Sequence, residues 1–169
     1  MGNDERVEIA CITKGDADYP PALTRCLGDQ APTMLTAIGN RDLLARQVQA
    51  LFCSVKCPGT VILRTYDLAL SLRNAGATVI GGFQSPMERE FLTLLLRGSG
   101  PVIVCPARDI GGIRIPREWR APLSEGRLLV LSSFGEGQRR ATDAQATARN
   151  FVVAALADEV LIPYAEGRL

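Results

Sequence analysis

Two glycine-bearing turns stand directly before amphipathic stretches of the chain, at Cys57-Pro58-Gly59-Thr60 and at Gly81-Gly82-Phe83-Gln84. Glycine lets a ligand approach the backbone closely, and the first N–H groups of a helix are unpaired donors with a partial positive charge. Together these features favour an anion, and phosphate in particular. Neither turn is a complete P-loop or Gly-x-Gly-x-x-Gly motif. The residues therefore leave two interpretations open, a phosphate site or a pair of tight turns.

Two cations could neutralise a phosphate near these turns. Lys56 follows an apolar run and precedes the first turn, although a solvated surface lysine is the simpler interpretation. Arg149 lies beside Asn150 inside an apolar, amphipathic stretch, where a buried guanidinium needs a partner. That partner could be a carboxylate of the fold or a phosphate. Four arginines between residues 108 and 120 could also track phosphates, but pairing with Asp109 and Glu118 is the simpler interpretation.

The residue types that are missing limit the chemistry. The chain has no histidine, which excludes Ser-His and Cys-His catalytic pairs and zinc sites with histidine ligands. Its five cysteines show no C-x-x-C spacing, and most lie in apolar runs, which is typical of reduced core thiols in a cytoplasmic protein. We therefore expect no metal, no cofactor and, without a complete catalytic motif, no enzymatic activity.

Length and charge set further limits. A chain of 169 residues corresponds to one ordinary domain with a short N-terminal segment. The formal net charge of +1 excludes a uniformly basic surface for nucleic acid but allows a local basic site. No apolar run is long enough to span a membrane, and the polar segment 1–6 is not a secretory signal. We therefore expect a cytoplasmic protein without a membrane partner.

Short apolar runs alternate with amphipathic stretches from about residue 48, which is typical of a parallel α/β sheet. Strands are predicted over residues 48–55, 77–80, 101–105, 127–131 and 159–163, with crossover helices between them. Capping boxes at Ser85 and Thr142 mark two helix starts. The predicted fold is a three-layer Rossmann-like α/β fold with a mostly parallel sheet of about five strands. Residues 47–169 form this domain, and residues 1–46 form a short N-terminal lobe packed on its core.

Right-handed crossovers place the carboxyl ends of all these strands at one edge of the sheet, where open α/β sheets bind their ligands. The segments that reach this edge are 54–60, 81–88, 106–115 and 132–140. The position of these segments predicts where a ligand binds, and leaves its identity open.

The order of several landmarks resembles the DNA-processing protein A (DprA/Smf) family, whose core is Rossmann-like. The landmarks are Tyr19-Pro20, Leu23, Pro32, Leu35, Gly39-Asn40, Leu43-Leu44, Gly76 to Gly82, Pro86-Met87-Glu88, Pro101 to Cys105, Gly126 to Ser132, Arg149-Asn150 and Ala154 to Asp158. The family's Gly-Ser-Arg after the first strand is Ser54-Val55-Lys56 here, and the third residue of its Arg-Asn-Arg is Phe151. The charge at Lys56 is kept, but the bidentate fork of arginine is not.

The resemblance implies single-stranded DNA binding linked to DNA uptake in natural transformation, to DNA protection or to recombination. Candidate partners are single-stranded DNA or a phosphate-bearing nucleotide, the RecA recombinase and, as a homodimer, a second copy of the chain. The predicted DNA- or phosphate-binding residues are Ser54, Lys56, Gly59, Thr60, Gly81, Gly82, Gln84, Ser85, Arg149 and Asn150. We expect Lys56 and Arg149 to supply charge, and N–H groups near Gly59, Thr60 and Ser85 to donate to phosphate oxygens.

A different class of function stays open. Gly81-Gly82 followed by Met87-Glu88 resembles part of the Gly-Gly…Met-Glu region of nucleoside-monophosphate phosphoribohydrolases, within the wider Rossmann-like group that also binds nucleotide-derived ligands. In that alternative Glu88 would act as an acid or base and Arg89 would hold phosphate. A scaffold that binds only protein partners is a third alternative.

Overall fold

A computed structural model describes residues 7–166 of the chain. Seven strands are present among these residues: β1 (Ala10–Thr13), β2 (Met34–Gly39), β3 (Val48–Cys53), β4 (Thr78–Gly81), β5 (Val102–Val104), β6 (Leu128–Ser132) and β7 (Glu159–Tyr164). Five α-helices connect them: α1 (Pro21–Leu27), α2 (Gly59–Ala75), α3 (Pro86–Leu96), α4 (Arg117–Ser124) and α5 (Asp143–Leu156).

The strands form one mixed sheet in the order β1-β2-β6-β5-β4-β3-β7. Strands β3 to β7 are parallel to one another and match the five predicted strands, which confirms the mostly parallel α/β class. The prediction of about five strands missed β1 and β2, which pair antiparallel at the β6 edge of the same sheet. Strand β1 is only four residues long and lies at the edge of the sheet, where only its Ile12 is buried. The division of the chain at residue 46 stays a prediction.

Helices cover both faces of the sheet and produce three layers. On one face α2, α3 and α4 pack on residues such as Leu51, Val79 and Val102. On the other face α1 and α5 pack on Ala50 and Ile80. Strand β6 is buried along its whole length, as expected for a strand covered on both sides. This double cover leaves the strand ends as the place where loops from several strands can meet.

Three helices begin at the carboxyl edge of the sheet, and their caps differ. The Ser85 hydroxyl accepts the Glu88 N–H at 3.3 Å, and the Thr142 hydroxyl accepts the Gln145 N–H at 3.2 Å, so both predicted capping boxes are confirmed. Helix α2 begins after Pro58, whose side chain provides no cap. The α2 N-terminus therefore keeps donors that the other two helices use internally.

No helix within residues 7–166 is both long enough and apolar enough to cross a bilayer.

Candidate nucleic-acid interface

A cavity of about 680 Å³ lies at the carboxyl ends of β4 and β5. Its walls come from residues 82–84 after β4, residues 106–108 after β5 and residues 139–141 ahead of α5, together with Arg89 of α3 and Arg149 of α5. Three of the four segments predicted to reach this edge therefore meet around one cavity.

Five arginines line this cavity, which we call the arginine cleft: Arg89, Arg108, Arg139, Arg140 and Arg149. The ion pairs among residues 7–166 are Arg41–Asp18 and Arg127–Glu125, so none of the five has a carboxylate within 4.0 Å in the described chain. Clustered charges of one sign in a concave site attract counter-ions strongly. A chain with almost no net charge thus concentrates five positively charged side chains around one cavity.

Arg149 is the buried member of the cleft, with only 5% of the residue exposed. Its Nη1 donates to the Cys105 carbonyl at 2.9 Å, its Nε to Asn150 Oδ1 at 2.8 Å and its Nη2 to Gln84 Oε1 at 3.4 Å. Burial lowers the pKa of Arg149, while Cys105 and Glu88 oppose that shift. A guanidinium has five N–H donors, so two remain to bind an anion after these three bonds to neutral acceptors.

Gly82 makes room for the Arg149 guanidinium. A Cβ atom at this position would lie 1.7 Å from Nη1 and 1.9 Å from Cζ of Arg149. The next residue, Phe83, has a φ of 48°, a left-handed conformation that is uncommon outside glycine and asparagine. The backbone after β4 thus packs against a buried cation. The two interpretations of the Gly81-Gly82 turn, a phosphate site or a tight turn, did not include this contact.

A second cavity of about 480 Å³ adjoins the arginine cleft and shares Gln84, Arg89 and Arg149 with it. Its lining also includes Ser85 and Asn150 from the predicted set. The two cavities together bring Gly82, Gln84, Ser85, Arg149 and Asn150 into one region.

Glu88 lies in this second cavity as a buried carboxylate. Its Oε1 accepts the Cys53 N–H at 2.9 Å, and its Oε2 accepts the N–H groups of Gln84 at 2.8 Å and Ser85 at 3.2 Å. The Ser85 N–H, expected to face a phosphate, is therefore bonded within the fold. These contacts are those of a structural carboxylate, which weakens the alternative in which Glu88 acts as an acid or base.

The other predicted residues lie outside both cavity linings. The Ser54 hydroxyl accepts the Glu166 N–H at 2.9 Å. Lys56 is exposed in the loop between β3 and α2. Gly59 and Thr60 are exposed in the first turn of α2, and their N–H groups have no hydrogen-bond partner within the described part of the chain. Gly81 is buried at the end of β4. The binding roles of these residues stay predictions.

Sequence reasoning left three exposed arginines, Arg108, Arg139 and Arg140, out of the predicted site. Pairing of the four arginines between residues 108 and 120 with Asp109 and Glu118 was the simpler interpretation and is wrong. Neither carboxylate forms an ion pair within residues 7–166, and the Asp109 carboxylate instead accepts the Gly111 N–H at 2.7 Å. All three arginines lie in segments predicted to reach the carboxyl edge of the sheet. Their position in the sequence could therefore have indicated that they belong to the site. What could not be read from the sequence is that they face the same cavity as Arg149.

The cysteines fit the predicted core role only in part. Cys53 and Cys105 are buried, and burial raises the pKa of their thiols to about 11 and about 12. Cys11 and Cys26 are exposed, contrary to the expectation of mostly core thiols. Residues 7–166 contain no group of three or more His, Cys, Asp or Glu side chains placed to hold a metal ion.

Two solved structures share the fold of this chain. The chain is similar to DNA processing protein A (DprA) from Streptococcus pneumoniae, with a TM-score of 0.70 and 21% identity over 94% of this chain and 54% of that one. It is also similar to DNA processing protein A from Helicobacter pylori, whose structure was described for its single-stranded DNA binding mode. There the TM-score is 0.71 and the identity 20%, over 93% of this chain and 69% of that one.

The present chain spans about half the length of the S. pneumoniae protein. No curated protein sequence matches it. A sequence family described as DNA recombination-mediator protein A matches residues 10–168, which is nearly the whole chain. This match confirms the resemblance of the sequence landmarks, and the chain belongs to the DNA recombination-mediator protein A (DprA) family.

Proposed function

We propose that this chain binds single-stranded DNA through the phosphates, with the arginine cleft as the main contact. The observation that carries the proposal is the buried Arg149 guanidinium, which has no carboxylate partner among residues 7–166 and lines a cavity with four other arginines. Guanidinium groups match the oxygens of a phosphate and hold them by charge-assisted hydrogen bonds. A phosphodiester also supplies the negative charge that the cleft lacks.

The shape of the site favours a single strand over a duplex. A flexible strand can bend to place a phosphate inside a cavity between loops, whereas a duplex is stiff and presents its phosphates on a convex surface. Membership in the DNA recombination-mediator protein A family supports this choice, as does the single-stranded DNA binding of the H. pylori relative.

We place the remainder of the strand along the same edge, toward the start of α2. There Lys56 would add a charge, and the unpaired N–H groups of Gly59 and Thr60 would donate to a further phosphate. Ser54 lies at the start of this loop, and Asn150 orients the Arg149 guanidinium. About two to four neutralised phosphates would then give a log–log salt dependence of roughly 0.7 per phosphate.

The wider role follows from the family and goes beyond the site. We propose that the chain acts by binding and without turnover, protecting single-stranded DNA during uptake or recombination in the cytoplasm. RecA recombinase and a second copy of the chain are the proposed protein partners.

A pair of double variants tests the cleft. In Arg139→Gln/Arg140→Gln two cleft charges are lost, and in Arg46→Gln/Arg97→Gln two exposed charges are lost at the opposite edge of the sheet, before β3 and after α3. Fluorescence anisotropy with labelled oligo-dT is expected to show binding at least about tenfold weaker for the cleft variant, since hydrogen bonds to charged groups contribute about 1.5–3 kcal/mol each. The control should change far less.

Equal weakening by the two double variants would refute the cleft as the binding site. Incubation with nucleoside monophosphates serves as the second arm, because release of ribose 5-phosphate would instead support the phosphoribohydrolase alternative.

A further inference from the structure

A carboxylate of the protein occupies the place at the ends of β3 and β4 where backbone donors would otherwise meet a ligand. Glu88 accepts three N–H groups at 2.8 to 3.2 Å, one from Cys53 at the end of β3 and two from Gln84 and Ser85 after β4. N–H groups that converge from strand ends and the start of a helix form a typical anion site. In this fold the Glu88 carboxylate occupies that site.

The Glu88 contacts exceed what a helix cap requires. The capping box of α3 accounts for the bond with Ser85, but the bond with the Cys53 N–H comes from a strand 35 residues away in sequence. Glu88 is 7% exposed and lines the same cavity as Arg149, the buried cation without an ion-pair partner in the described chain. An internal anion therefore lies in an anion site beside a cation that is still available to a ligand.

We propose that Glu88 determines the specificity of the site: its carboxylate takes the position of a phosphate monoester at the ends of β3 and β4 and so excludes mononucleotides and free phosphate from these three donors. A single monoester needs several convergent donors to be held, and here these donors are already used. A DNA strand does not depend on them, because its phosphodiesters bind through many weaker contacts. The part of this inference that concerns DNA rests on the proposed function.

Glu88→Ala and its matched control Glu90→Ala test the proposal. Glu90 is an exposed carboxylate on the same helix that accepts the Tyr66 hydroxyl at 3.3 Å, so its removal changes the net charge equally and leaves the three N–H groups paired. The measurements are thermal shift with inorganic phosphate or dTMP, and displacement of labelled oligo-dT by either, all at constant ionic strength. Binding of both probes to Glu88→Ala is expected to be at least about tenfold tighter than to the wild type or Glu90→Ala.

A folded Glu88→Ala protein without this gain would overturn the proposal. If that variant does not fold, Glu88→Gln keeps the side-chain length and one acceptor oxygen while losing the charge, and a smaller gain is expected; no gain would again overturn it. Wild-type protein that binds dTMP as tightly as oligo-dT would overturn it without any variant. Failure of wild-type protein to bind oligo-dT would refute the single-stranded DNA proposal alone, because the phosphate measurements stand independently.

Discussion

Replacement of Gly82 by alanine tests how the buried cation of the arginine cleft is held. The added Cβ would lie 1.7 Å from Nη1, 1.9 Å from Cζ and 2.4 Å from Nη2 of Arg149, and these distances are far inside van der Waals contact. Because the obstructed atoms are the end of a flexible side chain, we expect the guanidinium to move into the open cleft while the backbone stays in place. Its hydrogen bonds with the Cys105 carbonyl and Asn150 Oδ1 would be lost.

The size of the effect follows from these bonds. A hydrogen bond to a charged group contributes about 1.5–3 kcal/mol, and the displaced guanidinium regains part of this from water. We therefore expect the free energy of unfolding to fall by about 1.5–3 kcal/mol in total. For a domain of this size each kcal/mol lowers Tm by about 2–4 °C, which gives a decrease of roughly 3–12 °C. The affinity for oligo-dT should fall by about tenfold because Arg149 no longer lies at its binding position.

Differential scanning calorimetry and fluorescence anisotropy measure the two effects. Gly59→Ala is the control for Tm only, since a Cβ at Gly59 meets nothing within 4 Å and the residue lies in a helix, where alanine is preferred to glycine. It should leave Tm unchanged or raise it slightly. A Gly82→Ala protein with wild-type Tm and wild-type affinity would refute the argument that this glycine exists to accommodate Arg149.

Three further predictions concern the thiols and Lys56. Iodoacetamide at pH 8 should label the exposed Cys11 and Cys26 in native protein and leave Cys53 and Cys105 unlabelled, as judged by mass spectrometry, because their raised thiol pKa values suppress the reactive thiolate. Since unfolded thiols titrate near about 8.5, the folded state binds more protons above that pH, and this contribution to stability should decline as pH rises toward 12. Lys56→Gln should weaken oligo-dT binding less than Arg139→Gln/Arg140→Gln does, and a larger loss would shift the main contact to the β3–α2 loop.

The parts of the fold that local signals determine could be predicted from the sequence. Strands β3 to β6 are short, largely buried apolar runs because helices cover both their faces, and Ser85 and Thr142 carry the residue types of a capping box. Strand β7 was predicted from its apolar residues, although it lies partly exposed at the edge of the sheet. Strand β1 was not predicted from the sequence, and only one of its four residues is buried. Its place in the sheet comes from pairing with β2 and not from its own hydrophobic pattern.

The candidate site could be predicted in position but not in composition. Parallel topology alone places the loops after β4 and β5 at one edge, where the cleft lies. That Gly82 packs on Arg149, and that Glu88 binds the Cys53 N–H, depends on contacts between segments distant in sequence. The arginines at 139 and 140 join the cleft through a loop whose course no local pattern determines.

The most direct test of the proposed function is the salt dependence of oligo-dT binding by the wild-type protein. If about two to four phosphates are neutralised, log Kd should rise with log salt with a slope of roughly 1.4 to 2.8. The slope should fall by about 1.4 in Arg139→Gln/Arg140→Gln, because two phosphate contacts are removed. Binding that does not change with salt, or a slope that is equal in the wild type and this variant, would contradict phosphate recognition by the arginine cleft.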